Sequence, residues 1–123
     1  MADRSFKRVQ ALESEVKTLF LDVAIGGTGA PTINYALGTA SIVRDSAGVY
    51  IITLQDKYNR LLAFNVTQLV AAAEDINFQL EAEAVATSKT IQFRCLTDDV
   101  ETELSSGSRL LISVDLKNSS VNR

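Results

Sequence analysis

The chain has no histidine and no tryptophan, and it has one cysteine among 123 residues. Without histidine there is no Ser-His-Asp triad, no Cys-His dyad and no imidazole ligand for a metal. One cysteine excludes an intrachain disulfide and a cysteine-rich zinc site, and it suits a reducing compartment. No apolar run approaches the ~20 residues that cross a bilayer. The start of the chain does not read as a signal peptide, since charged and polar residues interrupt it as far as Leu19. The sequons at Asn65 and Asn118 therefore read as chance. Basic residues are also too few for a dedicated nucleic-acid surface. The net charge is -3, whereas phosphate binding needs a cationic stripe.

What is present suits a single globular domain, with 46% apolar and 22% charged residues. The charge is uneven. Arg4, Lys7 and Arg8 face only Asp3 at the start, whereas Glu74 to Glu103 holds eight acids against Lys89 and Arg94.

Periodicity divides the chain into three parts. In residues 1–15, Phe6, Val9 and Leu12 recur at helical spacing with Val16 next in the series, and Ser5 is placed to cap. This part is either a short helix packed on the domain or an arm that orders against a partner. Residues 16–117 are a β-domain and 118–123 a polar tail.

The period becomes two from Lys17. Leu19, Leu21, Val23 and Ile25 share one face of a first strand, with Phe20, Asp22 and Ala24 on the other. The glycines at 26, 27 and 29 end it in a loop that calls for positive φ. A second strand is expected over 33–44, bulged or broken at Gly38. The turn Asp45-Ser46-Ala47-Gly48 joins it to Val49–Leu54 in a hairpin. Residues 55–60 suit one helical turn, and 62–72 another strand. Ile76, Phe78, Leu80, Ala82 and Ala84 form a dry face against Asn77, Gln79, Glu81 and Glu83. Ile91, Phe93 and Cys95 follow across a turn, with Arg94 placed to pair with Glu81 or Glu83. A polar loop over 97–108 leads to a last strand at 109–117. Seven or eight short strands without amphipathic helices between them predict an all-β fold, an antiparallel β-sandwich (jelly-roll-like) or small barrel.

Candidate chemistry is sparse. Cys95 shares a face with Ile91 and Phe93, which suits a buried hydrophobe rather than a nucleophile. The glycine loop lacks the Gly-Lys-Ser/Thr ending of a phosphate loop. Asp98, Asp99, Glu101 and Glu103 do not follow EF-hand spacing and read as a solvated loop. Glu81 and Glu83 share a strand face without an evident pocket or third partner, so they read as a solubilising sheet face rather than an acid–base pair. An enzyme here would need a carboxylate-only mechanism at Glu81, Glu83 or Asp98. No catalytic, cofactor-binding or metal-ligating residue is assigned. A carbohydrate-binding module would need exposed aromatic residues for sugar stacking, and only Tyr35, Tyr50 and Tyr58 offer a tyrosine. A β-scaffold with no catalytic apparatus points to work by contact with other macromolecules.

Several stretches carry a resemblance: Gly29-Ala30-Pro31-Thr32, Gly38-Thr39-Ala40-Ser41-Ile42-Val43-Arg44, Ala47 to Tyr58, Leu61-Leu62, and the closing Asp115-Leu116-Lys117-Asn118-Ser119-Ser120-Val121. In them the chain resembles a family of small structural proteins of tailed bacteriophages. The similarity covers most of the chain. The resemblance implies a non-enzymatic virion component made in the host cytoplasm, foremost a capsid decoration (cement) protein. Its partners would be the major capsid protein and itself, as a homo-oligomeric dimer or trimer, with no membrane, nucleic acid or cofactor. A head–tail connector, tail or spike-base role is the alternative within the virion. On this reading the interface is the N-terminal arm. Phe6, Val9 and Leu12 anchor it, and Arg4, Lys7 and Arg8 meet an acidic capsid or sister-subunit surface.

Overall fold

The computed structural model describes residues 16–26 and 29–117, and these are all-β, with no helix among them. The nine strands are β1 (Val16–Ala24), β2 (Thr32–Ala36), β3 (Thr39–Ser46), β4 (Val49–Leu54), β5 (Arg60–Leu69), β6 (Asn77–Ala84), β7 (Thr90–Thr97), β8 (Val100–Glu101) and β9 (Arg109–Lys117). They form two antiparallel sheets packed as a β-sandwich. One has the order β2-β1-β9-β5 and the other β3-β4-β7-β6, with the short β8 paired to β7. The N-terminal segment, the tail and two residues of the glycine loop lie outside the described residues.

The alternation read from the sequence is obeyed most strictly where a strand is paired on both sides. In β9, Leu110, Ile112, Val114 and Leu116 are buried, and in β7 so are Ile91, Phe93 and Cys95. These strands sit mid-sheet, so their inward residues are sealed on every side. Leu19, Leu21 and Val23 of β1, with Ile25 just beyond, complete that wall as expected. Each full burial of this kind contributes about 1.5–3 kcal/mol. Phe93 is the hub. Its ring centroid lies 5.6 Å from Tyr50, 5.4 Å from Phe64 and 6.5 Å from Phe78.

Several expectations are corrected. The stretch 33–44 does break at Gly38, as expected, but its two parts are separate strands in opposite sheets. Gly38 has φ +78, and a Cβ there would stand 2.5 Å from Leu19 Cδ2, so the crossing needs both the left-handed backbone and the missing side chain. Gly26 and Gly29 do not have positive φ; among the described glycines Gly38, Gly48 and Gly107 do. Residues 55–60 form a bend rather than a helical turn. Tyr58 is pulled inward there, and its N–H donates to the Val85 carbonyl at 3.0 Å.

The dry face assigned to β6 holds only at its start. β6 is an edge strand with a register shift between Leu80 and Ala82, which sets Ala82 opposite Gln92 and Glu83 opposite Ile91. The shift reverses the parity of the strand, and Leu80 and Ala82 are exposed. Arg94 pairs with neither Glu81 nor Glu83. Its Nε donates to Gln79 Oε1 at 3.0 Å, and its Nη1 lies 3.8 Å from Glu101 Oε2.

The loop 97–108 is only partly solvated. Asp98 and Asp99, with φ of 51 and 65, make the two-residue turn between β7 and β8. Leu104 is buried. Glu103 accepts from Arg44 Nε at 2.7 Å and Nη2 at 2.9 Å, clasping the loop to β3. That hydrogen bond is the main reason the Arg44 guanidinium is held above its ordinary pKa.

Candidate functional surfaces

The residues with potential chemistry do not converge. Glu81 accepts from Gln92 Nε2 at 3.2 Å, and Glu83 accepts the Val85 backbone N–H at 3.2 Å. Both are exposed, and Asp98 is committed to a turn. No group of three or more His, Cys, Asp or Glu among the described residues is arranged to hold a metal. Cys95 is 0% exposed, and burial pushes its thiol pKa up to about 12. Burial also pushes the Tyr50 phenol up to about 12, and no hydrogen bond reaches its hydroxyl. The proposed anchors Arg4, Phe6, Lys7, Arg8, Val9 and Leu12 lie outside the described residues.

Two apolar surfaces stand out. The first is the outer face of the β2-β1-β9-β5 sheet. Phe20 is 49% exposed, Tyr35 56% and Leu111 41%. The register sets Asp22 between Tyr35 on β2 and Leu111 on β9, and Phe20 beside Ser113. These side chains surround a shallow depression of about 320 Å³ that reaches Asn65 and Thr67 on β5. Polar pairs are interleaved with it. Arg109 grips Asp22 through Nε at 3.2 Å and Nη2 at 2.5 Å, and Thr18 donates to Asp115 at 2.6 Å. The Arg109 hydrogen bond is the largest cause of the lowered Asp22 pKa. Exposed apolar side chains interleaved with engaged polar ones suit a contact surface.

The second surface is a groove of about 560 Å³ between the edge strands β5 and β6. Phe64 and Val66 line one side, and Ile76, Phe78 and Leu80 the other. Here the two sheets part without a ladder to join them, and the core is closed only by the half-buried Phe64 and Phe78 rings leaning on Phe93.

The sequence carried one signal for the first surface. Phe20 and Leu111 are large apolar residues at positions that the period-two pattern reserves for solvent. It carried none for the groove, which exists because two strands distant from each other's partners end up as facing edges. Compared with family models, with curated proteins and with solved structures, the chain matches none.

Proposed function

We propose that this chain is a non-enzymatic structural protein of a tailed-bacteriophage virion, a capsid decoration protein that binds across neighbouring major capsid protein subunits. The identity of the particle rests on the sequence resemblance. The observation that carries a contact role is the outer sheet face with Phe20, Tyr35 and Leu111 exposed together on a hydrogen-bonded platform. Aromatic side chains fixed on paired strands lose little freedom on binding, so they suit a flat protein surface. A protein that binds the assembled shell and not the free subunit stabilises the shell by linkage. Repetition over a symmetric lattice adds avidity. The N-terminal residues 1–15 add a second point of attachment.

Two measurements test this. The first counts this chain against the major capsid protein in purified particles of the encoding phage. Hundreds of copies would support decoration, and about a dozen would place it in a connector ring instead. Absence from particles would end the virion reading. The second measures binding to undecorated capsids. Phe20→Glu with Leu111→Glu should weaken it by about tenfold or more, the scale of losing central apolar anchors, and deletion of residues 2–15 should weaken it as well. Unchanged occupancy in the double variant would remove the outer face from the proposal.

A second reading, a carbohydrate-binding module, draws on the same exposed pair, since Phe20 and Tyr35 on a flat sheet are a platform for sugar stacking. Oligosaccharide-dependent NMR shifts confined to Phe20, Tyr35 and Leu111 would favour it.

A further inference from the structure

The groove between β5 and β6 is lined by uncharged residues, and acids flank them in the sequence. Residues 76–80 line it, with Glu74 and Asp75 directly before them and Glu81 and Glu83 directly after. Neighbouring cations are engaged or distant. Arg94 is held by Gln79 and Glu101, Lys89 lies past the end of β6, and Arg60 starts β5, four residues before Phe64. Glu74 itself accepts from Gln68 Nε2 at 2.7 Å and from the Ser105 hydroxyl. Two copies of this edge would repel, which discourages β6-to-β6 pairing between molecules. A cationic apolar segment would be drawn in.

One segment of the chain has that composition. Residues 4–12, Arg-Ser-Phe-Lys-Arg-Val-Gln-Ala-Leu, hold three cations, no acid, and Phe6, Val9 and Leu12 at three-residue spacing. We propose that residues 4–12 dock in the β5–β6 groove, with Phe6 and Val9 against Phe64, Phe78 and Leu80 and the cations toward Glu74, Asp75, Glu81 and Glu83. The mode is an anchored segment in an apolar groove with charges at the rim.

Reach permits it. Val16 opens β1, and the register aligns Leu19, Val114 and Phe64 in one row across the sheet. Phe64 is therefore two strands and three residues from Val16, on the order of 14 Å within the sheet. The ten residues from Val16 back to Phe6 span up to ~34 Å. The chain's own segment can thus fill the groove, and it is the occupant proposed. This inference does not depend on the virion reading, and it competes with one part of it: a segment held in the chain's own groove must leave that groove to attach to a capsid.

The absence of tryptophan supplies the test. Phe6→Trp in the full chain gives a single tryptophan, which can be excited apart from the three tyrosines. Docking should shift its emission to shorter wavelength than in the urea-unfolded chain and protect it from iodide. Adding Leu80→Glu, at a side chain already 39% exposed, or reversing Glu81 and Glu83 to Lys should restore solvent-like emission with unchanged far-UV circular dichroism. Leu12→Trp serves as a second reporter should Phe6→Trp perturb the contact. Dilution checks the donor: independence from concentration is expected of the chain's own segment, and loss on dilution would overturn that in favour of a neighbour's. Solvent-like emission from both reporters in the native chain would overturn the proposal. So would protection that survives the groove variants and is lost with Leu111→Glu on the outer face. Neither result would touch the capsid-binding measurement on the Phe20→Glu, Leu111→Glu variant.

Discussion

Replacing Gly48 by alanine isolates a backbone contact that fixes the end of β7. Gly48 sits in the β3–β4 turn at φ +74, and a Cβ there would stand 2.6 Å from the Thr102 carbonyl oxygen and 2.8 Å from its nitrogen. Both are backbone atoms, so no rotamer change relieves the overlap. Two hydrogen bonds meet at this point. The Cys95 N–H donates to the Gly48 carbonyl at 2.7 Å, and the Thr102 N–H donates to the Cys95 carbonyl at 2.9 Å. The left-handed backbone costs an L-residue about 1–2 kcal/mol. Each hydrogen bond lost costs about 1 kcal/mol net. Gly48→Ala should therefore lower stability by about 3–4 kcal/mol.

Gly107→Ala is the control, because Gly107 also has positive φ, +92, yet nothing lies within 4 Å of its added Cβ. It should lose only the backbone part, about 1–2 kcal/mol. Urea unfolding followed by circular dichroism measures both at constant m. Cys95 gives an independent readout, as the lone thiol is buried and reacts with a disulfide reagent only when the structure opens. A gap of about 2 kcal/mol between the variants corresponds to roughly thirtyfold faster labelling in Gly48→Ala. Equal losses in the two variants would refute the reasoning, since the Thr102 overlap would then cost nothing.

Two further outcomes are expected. Tyr50→Phe should be neutral or stabilising by about 1 kcal/mol, because it removes a buried hydroxyl without a hydrogen-bond partner while keeping the ring against Phe93; a fall in the urea midpoint would show that the hydroxyl is satisfied. Asp22 has its carboxyl held below the ordinary value of 3.8, chiefly by the hydrogen bond from Arg109. Because the folded pKa is the lower one, the stabilisation is present above 3.8 and is lost as pH falls through the folded value. Asp22→Asn should therefore be less stable than the parent near neutrality, and the difference should shrink in acid; a gap independent of pH would contradict the assignment.

The residues that were legible in the sequence are those whose environment follows from local period. Leu19, Leu21 and Val23, then Ile91, Phe93 and Cys95, then the inward residues of β9 all lie where alternation put them. The failures share a cause. β6 has the cleanest alternation in the chain, yet it is an edge strand with a bulge, so the pattern overstated how far it is buried. Residues 97–108 look uniformly polar, but Glu103 is used by Arg44 and Leu104 by the core, contacts with residues far away in sequence. Of the candidate surfaces, Phe20 and Leu111 were visible as apolar residues of the wrong parity. Tyr35 needed its place on exposed β2, and the groove needed both edges.

By itself the sequence determined the all-β class, the hairpin at Asp45 to Gly48, the burial of Cys95 and the inward faces of the central strands. Each depends on side-chain alternation or turn chemistry within a few residues. Only the tertiary structure decided which strands share a sheet, that the chain changes sheets at Gly38, and that β5 and β6 face one another as unpaired edges. A strand's own pattern fixes which of its faces is dry. The partner it pairs with is fixed by closing the whole sandwich, where β9, last in the chain, must fit between β1 and β5.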